Sequence, residues 1–332
     1  MEPLLEMLST SEPVSGERLC AKLNMTRGAV WKRIEKLRAE GYSIVSAGKR
    51  GYRLEPVENS LLPGYIHQDL QTRWAGRGEI CYAQEMDSTN IRAKQMAHDG
   101  APHGSLAVCE LQTAGRGRLK RGWETPAGEA LMQTLVLRPS LPTEQAQLCT
   151  LAAAVASAQA IQEVCPRLSP GIKWPNDVIL NGKKCVGILS ELSADLDGLQ
   201  FIVPGVGINV NQTGFSGELR DKATSMLIEL RREDAAAAPV CRRRVLCAYL
   251  KHMENAIDAL EREGLNGILP EYLRRSVTLG EQVRVIGANV DFVGEAKRLD
   301  ETGALIVKDE TGVEHRVLSG DVSVRGLMGY CS

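Results

Sequence analysis

The residues best suited to chemistry lie in a glycine- and arginine-rich stretch, residues 110–123. This stretch places Arg116, Arg118, Lys120 and Arg121 among its glycines. Glycine lets backbone N–H groups approach an oxyanion, and each arginine adds a forked, permanently charged donor. The pattern matches neither a P-loop nor the Gly-x-Gly-x-x-Gly of a dinucleotide site. It therefore predicts a site for an anionic small molecule, with a solvated basic loop as the alternative.

A second segment, residues 171–189, is predicted to form a β-hairpin. Its two apolar runs flank an Asn-Gly pair at 181–182, a dipeptide that favours positive φ at both turn positions. The first strand is expected to end in Trp-Pro-Asn-Asp, which supplies Asn176 and Asp177, and Lys184 opens the next strand. For Asp177, a hydrogen bond that supports the hairpin is favoured over binding a metal or activating a lysine.

Composition limits the class of protein. The 332 residues permit two or three domains, and the net charge of −1 gives no overall attraction to nucleic acid. Residues 15–53 nevertheless carry ten Lys/Arg against three Glu, a local charge of +7 that is typical of nucleic-acid binding. The nine scattered cysteines argue for reduced thiols, and neither a signal peptide nor a membrane-spanning stretch is found. These features predict a cytoplasmic protein.

Residues 1–58 are predicted to form a winged helix-turn-helix domain. Thr26 is placed to cap a helix over residues 27–40, and two short strands joined by residues 47–50 would form a basic wing. A small helical domain with a solvated basic face is the alternative. The expected DNA-binding residues are Thr26, Arg27, Trp31, Lys32, Lys36, Lys49 and Arg50.

The remaining chain is predicted to be α+β. Residues 59–270 mix strands and helices without strict alternation, which indicates a mixed sheet with helices to one side. Residues 271–332 contain four short strands separated by glycine-containing turns, which predicts a small β-barrel.

Four motifs in order carry a family resemblance. Gly-Arg-Gly-Arg at 115–118 and Lys-Trp-Pro-Asn-Asp at 173–177 together resemble the biotin–protein ligase family. Asp-Ser-Thr-Asn at 87–90 and Gly-Ile-Asn-Val-Asn at 207–211 fall in that family's order, and the resemblance covers roughly residues 80–325. Members that double as biotin operon repressors carry a winged helix at the N-terminal end. The resemblance also implies that the C-terminal barrel is SH3-like.

The resemblance implies an ATP-dependent ligase that works in two steps. Biotin and MgATP would give biotinyl-5′-AMP and pyrophosphate, and a lysine of the biotin carboxyl carrier domain of acetyl-CoA carboxylase would then take the biotin. The implied catalytic residues are Arg116, Arg118 and Lys184. The implied biotin-binding residues are Ser88, Thr89, Asn90, Gln112, Gly115, Arg116, Gly117, Arg118, Trp123, Lys184 and Gly187. The implied ATP- and adenylate-binding residues are Arg118, Arg121, Asn176, Lys184 and Asn209.

Ser88 and Thr89 have two interpretations. They precede a helix predicted over residues 91–98, and the residues alone favour helix capping. The resemblance implies instead that both face the ureido ring of biotin. The two roles are compatible if they are divided between the two residues.

The resemblance further implies two macromolecular partners and a switch. The adenylate-bound protein would either meet the carrier domain or form a homodimer that binds operator DNA and represses genes of biotin synthesis and transport. No tightly bound cofactor and no fixed metal site are expected, and Mg²⁺ would arrive with ATP. The loop at residues 115–122 is expected to order over the adenylate. Residues 212–221 are expected to cover the adenine, although Phe215 stands where the family often has tryptophan.

Three alternatives stay open. The chain could be a biotin ligase with a non-regulatory winged helix, a lipoate or octanoate–protein ligase, or a repressor that binds biotin without catalysis. The pair of motifs at 115–118 and 173–177 favours biotin. Arg118→Gly would distinguish a ligase from a sensor, because it should release free adenylate if the arginine retains the intermediate.

Overall fold

The computed structural model describes residues 2–8, 12–118, 122–196, 198–287 and 290–319, and the backbone of 322–326. The chain divides into two compact units, Met1–Leu70 and Gln71–Ser332. In the part of the chain so described, no helix is long and apolar enough to cross a membrane.

The first unit is the predicted winged helix-turn-helix. Ser15 and Thr26 cap its second and third helices, because their hydroxyls accept from Arg18 N and Ala29 N at 3.2 Å each. The two wing strands pair antiparallel, with Ile44 opposite Leu54. Its elements are α1 (Pro3–Met7), α2 (Gly16–Leu23), α3 (Arg27–Ala39), β1 (Ile44–Ser46), β2 (Tyr52–Leu54) and α4 (Pro63–Asp69).

Helix α4 was not predicted, and it belongs to this first unit. Gly64 N donates to the Tyr42 hydroxyl at 3.0 Å, and the Tyr65 hydroxyl donates to Glu55 O at 3.1 Å. These bonds join α4 to the wing, so the compact unit ends at Leu70, later than the predicted boundary after residue 58.

The second unit is built on a seven-stranded mixed sheet, as predicted. Its order is β3-β4-β5-β9-β8-β7-β6, and among these strands only β3 and β4 are parallel neighbours. The strands are β3 (Ile80–Met86), β4 (Leu106–Gln112), β5 (Ala130–Leu135), β6 (Gly171–Lys173), β7 (Asp177–Leu180), β8 (Lys183–Asp195) and β9 (Gly198–Asn209).

Helices cover both faces of this sheet, so the prediction of helices to one side is wrong. Two long helices, Leu148–Val164 and Arg242–Glu263, pack on one face. Thr150 Oγ1 of the first donates to Ser190 at 2.7 Å, and Arg242 Nη1 of the second donates to Glu110 at 2.6 Å. Helix α5 packs on the other face, against Ala107, Phe201 and Val203, because it is the crossover that parallel strands β3 and β4 require. The helices are α5 (Thr89–His98), α6 (Leu148–Val164), α7 (Met226–Glu233), α8 (Arg242–Glu263) and α9 (Leu269–Arg275).

The C-terminal SH3-like part is an antiparallel sheet of five strands, one more than predicted. Its order is β13-β12-β11-β10-β14. The strands are β10 (Gln282–Gly287), β11 (Asp291–Leu299), β12 (Leu305–Asp309), β13 (Glu314–Val317) and β14 (Val322–Gly326).

This C-terminal sheet is fastened to the turn before β7. Trp174 is buried there, its backbone N–H donates to Thr278 Oγ1 at 3.0 Å, and its indole Nε1 donates to Gly303 O at 3.1 Å. Val277 N also donates to Ile172 O at 2.9 Å. The C-terminal sheet therefore forms part of the structure that holds this turn.

Candidate active site

Three glycines on β8 and β9 form the floor of the candidate site. Gly187 and Gly207 lie opposite each other, and Gly205 is two residues along β9. A Cβ atom added at Gly207 would lie 2.5 Å from the Trp123 indole, and a Cβ atom added at Gly187 would lie 2.7 Å from the same ring. A Cβ atom added at Gly205 would overlap the side-chain amide of Asn90. Only glycine admits such close packing. Gly205 and Gly207 were not predicted as site residues, although alternate glycines in an apolar strand were a usable signal.

One end of the floor carries a hydrogen-bonded cluster. Gln112 Oε1 accepts from Thr89 N at 2.8 Å and from Thr89 Oγ1 at 3.1 Å. Thr134 Oγ1 lies 2.9 Å from Thr89 Oγ1 and 2.8 Å from Asn90 Oδ1. Thr134 was not predicted as a site residue. We call this cluster the amide wall, and its members are Thr89, Asn90, Gln112 and Thr134.

The capping prediction for Ser88 and Thr89 is wrong. Ser88 occupies the N-cap position of α5, but its side chain makes no capping hydrogen bond. The Thr89 hydroxyl bonds within the amide wall. Ser88 and Thr89 are both buried, at 2 % and 3 % exposure, and Thr89 belongs to the wall.

Asn90 connects the amide wall to β8. Its Nδ2 donates to Leu189 O and to Glu191 Oε2, each at 3.0 Å. Both amide hydrogens are thus engaged, since a primary amide has only two. Asn90 therefore joins α5 to β8 and supports Thr89.

Four polar side chains meet at the other end of the floor, and we call them the charged corner: Arg118, Asn176, Asp177 and Lys184. Lys184 Nζ lies 2.6 Å from Asp177 Oδ1 and 5.8 Å from the centre of the Trp123 ring. Arg118 Nη1 donates to Asn176 Oδ1 at 2.9 Å, and Arg118 Nη2 donates to Ser319 O. The side chain of Asp177 on β7 pairs with Lys184 on β8, so this contact joins the two strands of the predicted hairpin.

A β-bulge places Lys184 at this corner. Ile179 pairs with Lys184 and Val178 with Val186, so Cys185 is an extra residue in β8. In a regular strand, residues three apart face opposite sides, and the bulge shifts that alternation by one. A Cβ at Gly187 would lie 3.2 Å from Lys184 Nζ, which shows that the ammonium reaches the floor.

The Trp-Pro-Asn segment forms a turn between two strands. The sequence predicted it at the end of one long strand, whereas β6 ends at Lys173 and β7 begins at Asp177. The Trp174–Pro175 peptide bond is cis. Asn176 is 9 % exposed, and its Nδ2 donates to Ile188 O at 2.9 Å.

The arginine-rich loop leaves β4 and returns beside its own start. Trp123 N donates to Gly115 O at 3.0 Å, and Arg116 forms a bridge with Gly122. Arg116 is exposed. The predicted ATP ligand Arg121 and its neighbour Lys120 lie outside the described residues. A cavity of about 290 Å³ adjoins the loop, lined by Gly117, Arg118, Thr150, Pro175, Asn176, Ile188, Leu189, Ser190 and Ser319.

Asn209, at the end of β9, is buried and bonded within the protein. It is 3 % exposed, its Nδ2 donates to Thr224 O at 3.1 Å, and its Oδ1 accepts from Gln212 Nε2 at 2.9 Å. These contacts hold both ends of the 212–224 loop. Phe215 within that loop is half-buried.

Burial disfavours thiolate chemistry at the floor. Burial raises the pKa of the Cys109 thiol to about 12, and it raises the pKa of the Cys185 thiol further. A thiol is nucleophilic as its thiolate, so both are inert at neutral pH. Across the described ranges, no three or more His, Cys, Asp or Glu side chains are grouped so as to hold a metal ion.

The predicted DNA-binding residues lie on the surface of the first unit. Trp31 is 54 % exposed on α3, an uncommon position for a large apolar side chain. Thr26 caps α3, and Arg27 pairs with Glu17 at 2.8 Å. The other exposed members are Lys32, Lys36, Lys49 and Arg50.

Comparisons with known proteins agree with this architecture. The biotin/lipoate A/B protein ligase family matches residues 82–209, a helix-turn-helix domain matches residues 2–53, and the biotin protein ligase C-terminal domain matches residues 278–325. The bifunctional ligase/repressor BirA of Bacillus subtilis is 35% identical over 325 residues, 97% of each chain. The biotin–[acetyl-CoA-carboxylase] ligase of Mycobacterium tuberculosis is 33% identical, over 79% of this chain and 96% of its own length.

A solved structure supports the same assignment. The biotin protein ligase of Aquifex aeolicus in complex with biotin and ATP aligns with a TM-score of 0.63 and 28% identity, covering 75% of this chain and 99% of that chain. With the winged helix, the mixed sheet and the C-terminal domain all present in order, the chain belongs to the family of bifunctional biotin–protein ligases and biotin operon repressors.

Proposed function

We propose that this protein is an ATP-dependent biotin–protein ligase that also acts as a biotin-responsive transcriptional repressor. The observation that carries the proposal is the arrangement along β8 and β9. A neutral, hydrogen-bonding wall lies at Gly205, and a lysine lies at Gly187. Such a site suits an elongated acid with a polar neutral head at one end and a carboxylate at the other, as biotin has.

The amide wall would bind the ureido ring. Thr89 and Gln112 offer hydroxyl and amide groups, and their mutual hydrogen bonds hold them in place before ligand arrives. A buried polar group that finds its partner in the ligand discriminates strongly against analogues that lack it. This wall favours biotin over lipoate or octanoate, whose chains end in no such urea. Trp123, whose ring packs on Gly187 and Gly207, would border the apolar chain of biotin.

The charged corner would carry the first chemical step. A biotin carboxylate oxygen attacks the α-phosphorus of ATP, the bond to the bridging oxygen breaks, and pyrophosphate leaves. Two anions must approach each other, so positioned cations lower the barrier by stabilising the developing phosphoryl charge. Lys184 would hold the carboxylate and then the α-phosphate, with Arg116 and Arg118 beside it. Mg²⁺ enters as part of the MgATP substrate, for which Asp177 is the nearest carboxylate.

The second step needs a nucleophile from outside. A neutral lysine amine of the carrier domain attacks the acyl carbon of the adenylate, forms an amide, loses a proton and releases AMP. Until then water must be excluded from the mixed anhydride. We propose that the loop at residues 115–122 closes over the adenylate, with Gly115 and Gly117 permitting the change. Equal amide exchange of this loop with and without biotin would contradict that role.

On the nucleotide side of the site, we propose structural roles for two residues that were expected to bind ATP or adenylate. Asn176 and Asn209 already make hydrogen bonds inside the protein, so we assign them to holding Arg118 and the 212–224 loop. Arg121 stays a proposed adenylate ligand. Phe215 is the proposed cover for adenine in place of tryptophan.

The repressor activity would reside in the first unit. Its exposed basic helix and wing suit a major groove and the flanking phosphates. We propose that adenylate-bound protein forms a homodimer, since a two-fold dimer matches a two-fold operator. The carrier domain would be the competing partner, and the reaction would take place in the cytoplasm.

The test is pyrophosphate release from ATP with biotin, lipoate or octanoate, with and without a carrier domain. Biotin-dependent release, with labelled biotin ending on a carrier lysine, is expected. Pyrophosphate release with lipoate but not with biotin would establish a lipoate–protein ligase. Biotin binding without any release would reduce the protein to a biotin-responsive repressor.

A further inference from the structure

A buried carboxylate outside the proposed catalytic set is connected to the charged corner. Within the described residues, the buried acidic side chains are those of Glu229 and Glu254. Glu254 binds the backbone N–H groups of residues 73–75, a structural role at the edge of the unit. Glu229, on α7 and 2 % exposed, has partners in two separate segments that flank Lys184.

The two carboxylate oxygens of Glu229 accept hydrogen bonds from different segments. Its Oε1 accepts from the Thr224 hydroxyl, and its Oε2 accepts from Asn181 Nδ2 at 2.6 Å. Arg232 Nε lies 3.1 Å from Oε2 and balances the charge from a half-exposed position. Burying a carboxylate is costly unless it is paired and hydrogen-bonded, and here both conditions are met.

Both segments held by Glu229 are attached to Lys184. Asn181 is the left-handed residue of the turn that leads into β8, with φ of 45°. Thr224 N donates to Lys184 O at 2.9 Å, and Lys184 N donates to Lys222 O at 2.8 Å. Glu229 thus fixes the chain before Lys184 and the chain beside it.

Thr224, whose hydroxyl donates to Glu229, is also the last residue of the 212–224 loop. Thr224 O accepts from Asn209 Nδ2 at 3.1 Å, and Ser225 Oγ donates to Gln212 O at 2.6 Å. The first and last residues of the loop are therefore held at one place. A bridge between two segments needs two acceptor oxygens, which a carboxylate supplies.

We propose that Glu229 is a positioning residue for the adenylate side of the site, acting through Lys184 and the 212–224 loop. This inference rests on the proposed ligase function. Glu229 touches no predicted ligand-binding atom. Because the amide wall is built on β4, β5 and α5, recognition of the biotin ring does not depend on Glu229.

The test compares Glu229→Ala, Glu229→Gln and Thr224→Val with the full-length wild-type chain in biotin-dependent pyrophosphate release. Glu229→Ala and Thr224→Val should raise KM for ATP about tenfold and speed adenylate dissociation by a similar factor. KM for biotin should change less than about threefold. Glu229→Gln should restore most of the loss, since a glutamine oxygen can still accept from Asn181 and its amide can donate to the Thr224 hydroxyl. Glu233→Ala, an exposed change on the same helix, is the matched control.

A second measurement does not depend on activity. Hydrogen exchange of the Lys184 amide should quicken about tenfold in Thr224→Val, a substitution that removes one hydroxyl and leaves little space. Two results with an active wild type would overturn the positioning role. In one, the variants lose thermal stability and nothing else; in the other, their KM values for ATP and biotin rise equally. A wild type without biotin-dependent release would overturn the proposed function, and this inference with it.

Discussion

The two ends of the site are built in different ways. The amide wall is neutral, and Thr89, Gln112 and Thr134 bond to one another at 2.8–3.1 Å, with both partners inside the protein. The charged corner pairs opposite charges, Lys184 with Asp177, and leaves each side chain partly accessible at 28% and 15%. A neutral wall can be complete before ligand binds, whereas a corner that must screen two anions keeps its cations within reach of solvent. Recognition and chemistry are thus separated along the two strands.

The largest effect is expected from removing the corner's lysine. Lys184→Ala should lower the rate of biotin-dependent pyrophosphate release about a thousandfold, because one positioned cation that stabilises transition-state charge is worth that much. Biotin binding by calorimetry should weaken far less. Lys183→Ala is the control, since its Nζ lies 3.4 Å from Arg220 O, away from the corner. Equal losses in the two variants would remove Lys184 from catalysis.

The next effect concerns the floor that joins the two ends. Gly207→Ala would place a methyl 2.5 Å from the Trp123 indole and force it to move. Biotin affinity should fall about a hundredfold, since poor fit at a packed site costs a few kcal/mol. Gly16→Ala, where no atom lies within 4 Å of the added carbon, should leave the ligase unchanged. Unaltered biotin affinity in Gly207→Ala would mean that the position of the Trp123 ring does not affect biotin binding.

A smaller effect is expected at the wall. Thr134→Val removes a hydroxyl that lies 2.9 Å from Thr89 Oγ1 and 2.8 Å from Asn90 Oδ1. Two such bonds contribute about 1–2 kcal/mol together, so biotin should bind about tenfold more weakly. The effect should be on KM for biotin, with kcat preserved, in contrast to Lys184→Ala. Thr134→Ser should behave as wild type. A loss of kcat in Thr134→Val would contradict the assignment of binding to the wall and catalysis to the corner.

The smallest effect on the ligase is expected from the other unit. Lys32→Ala on the exposed face of α3 should weaken operator binding by adenylate-bound protein and reduce the salt dependence of binding by about one ion. Pyrophosphate release should be unchanged. Glu12→Ala, an exposed change in the same unit, is the matched control for DNA binding. An unchanged salt slope in Lys32→Ala would indicate that this lysine contacts no phosphate.

The elements of the sequence that were predicted well depend on local signals. The Asn-Gly turn at 181–182, the Thr26 cap and the long buried helix α6 each follow from residues near one another in the chain. The family resemblance then implied most of the residues that meet at the floor. The fifth C-terminal strand, α1 and α4 were missed because short elements are stabilised mainly by tertiary contacts.

The errors have a common physical origin. The Ser88 hydroxyl makes no capping bond, and Thr89 bonds across to Gln112 on a strand twenty-three residues away. A side chain with several possible partners takes the one that the fold brings near, and spacing along the chain does not reveal it.

By itself, the sequence determined which groups were available: a basic loop, a hairpin with an amide and a carboxylate, a basic winged helix, and thiols without a metal-binding pattern. The tertiary structure alone decided their arrangement. The bulge at Cys185 placed Lys184 on the same face as Gly187, and the pairing of β8 with β9 set Gly187 opposite Gly207. It also gave Glu229 its two partners, Asn181 and Thr224. Strand register and bulges depend on packing between distant segments, which local residue patterns do not encode.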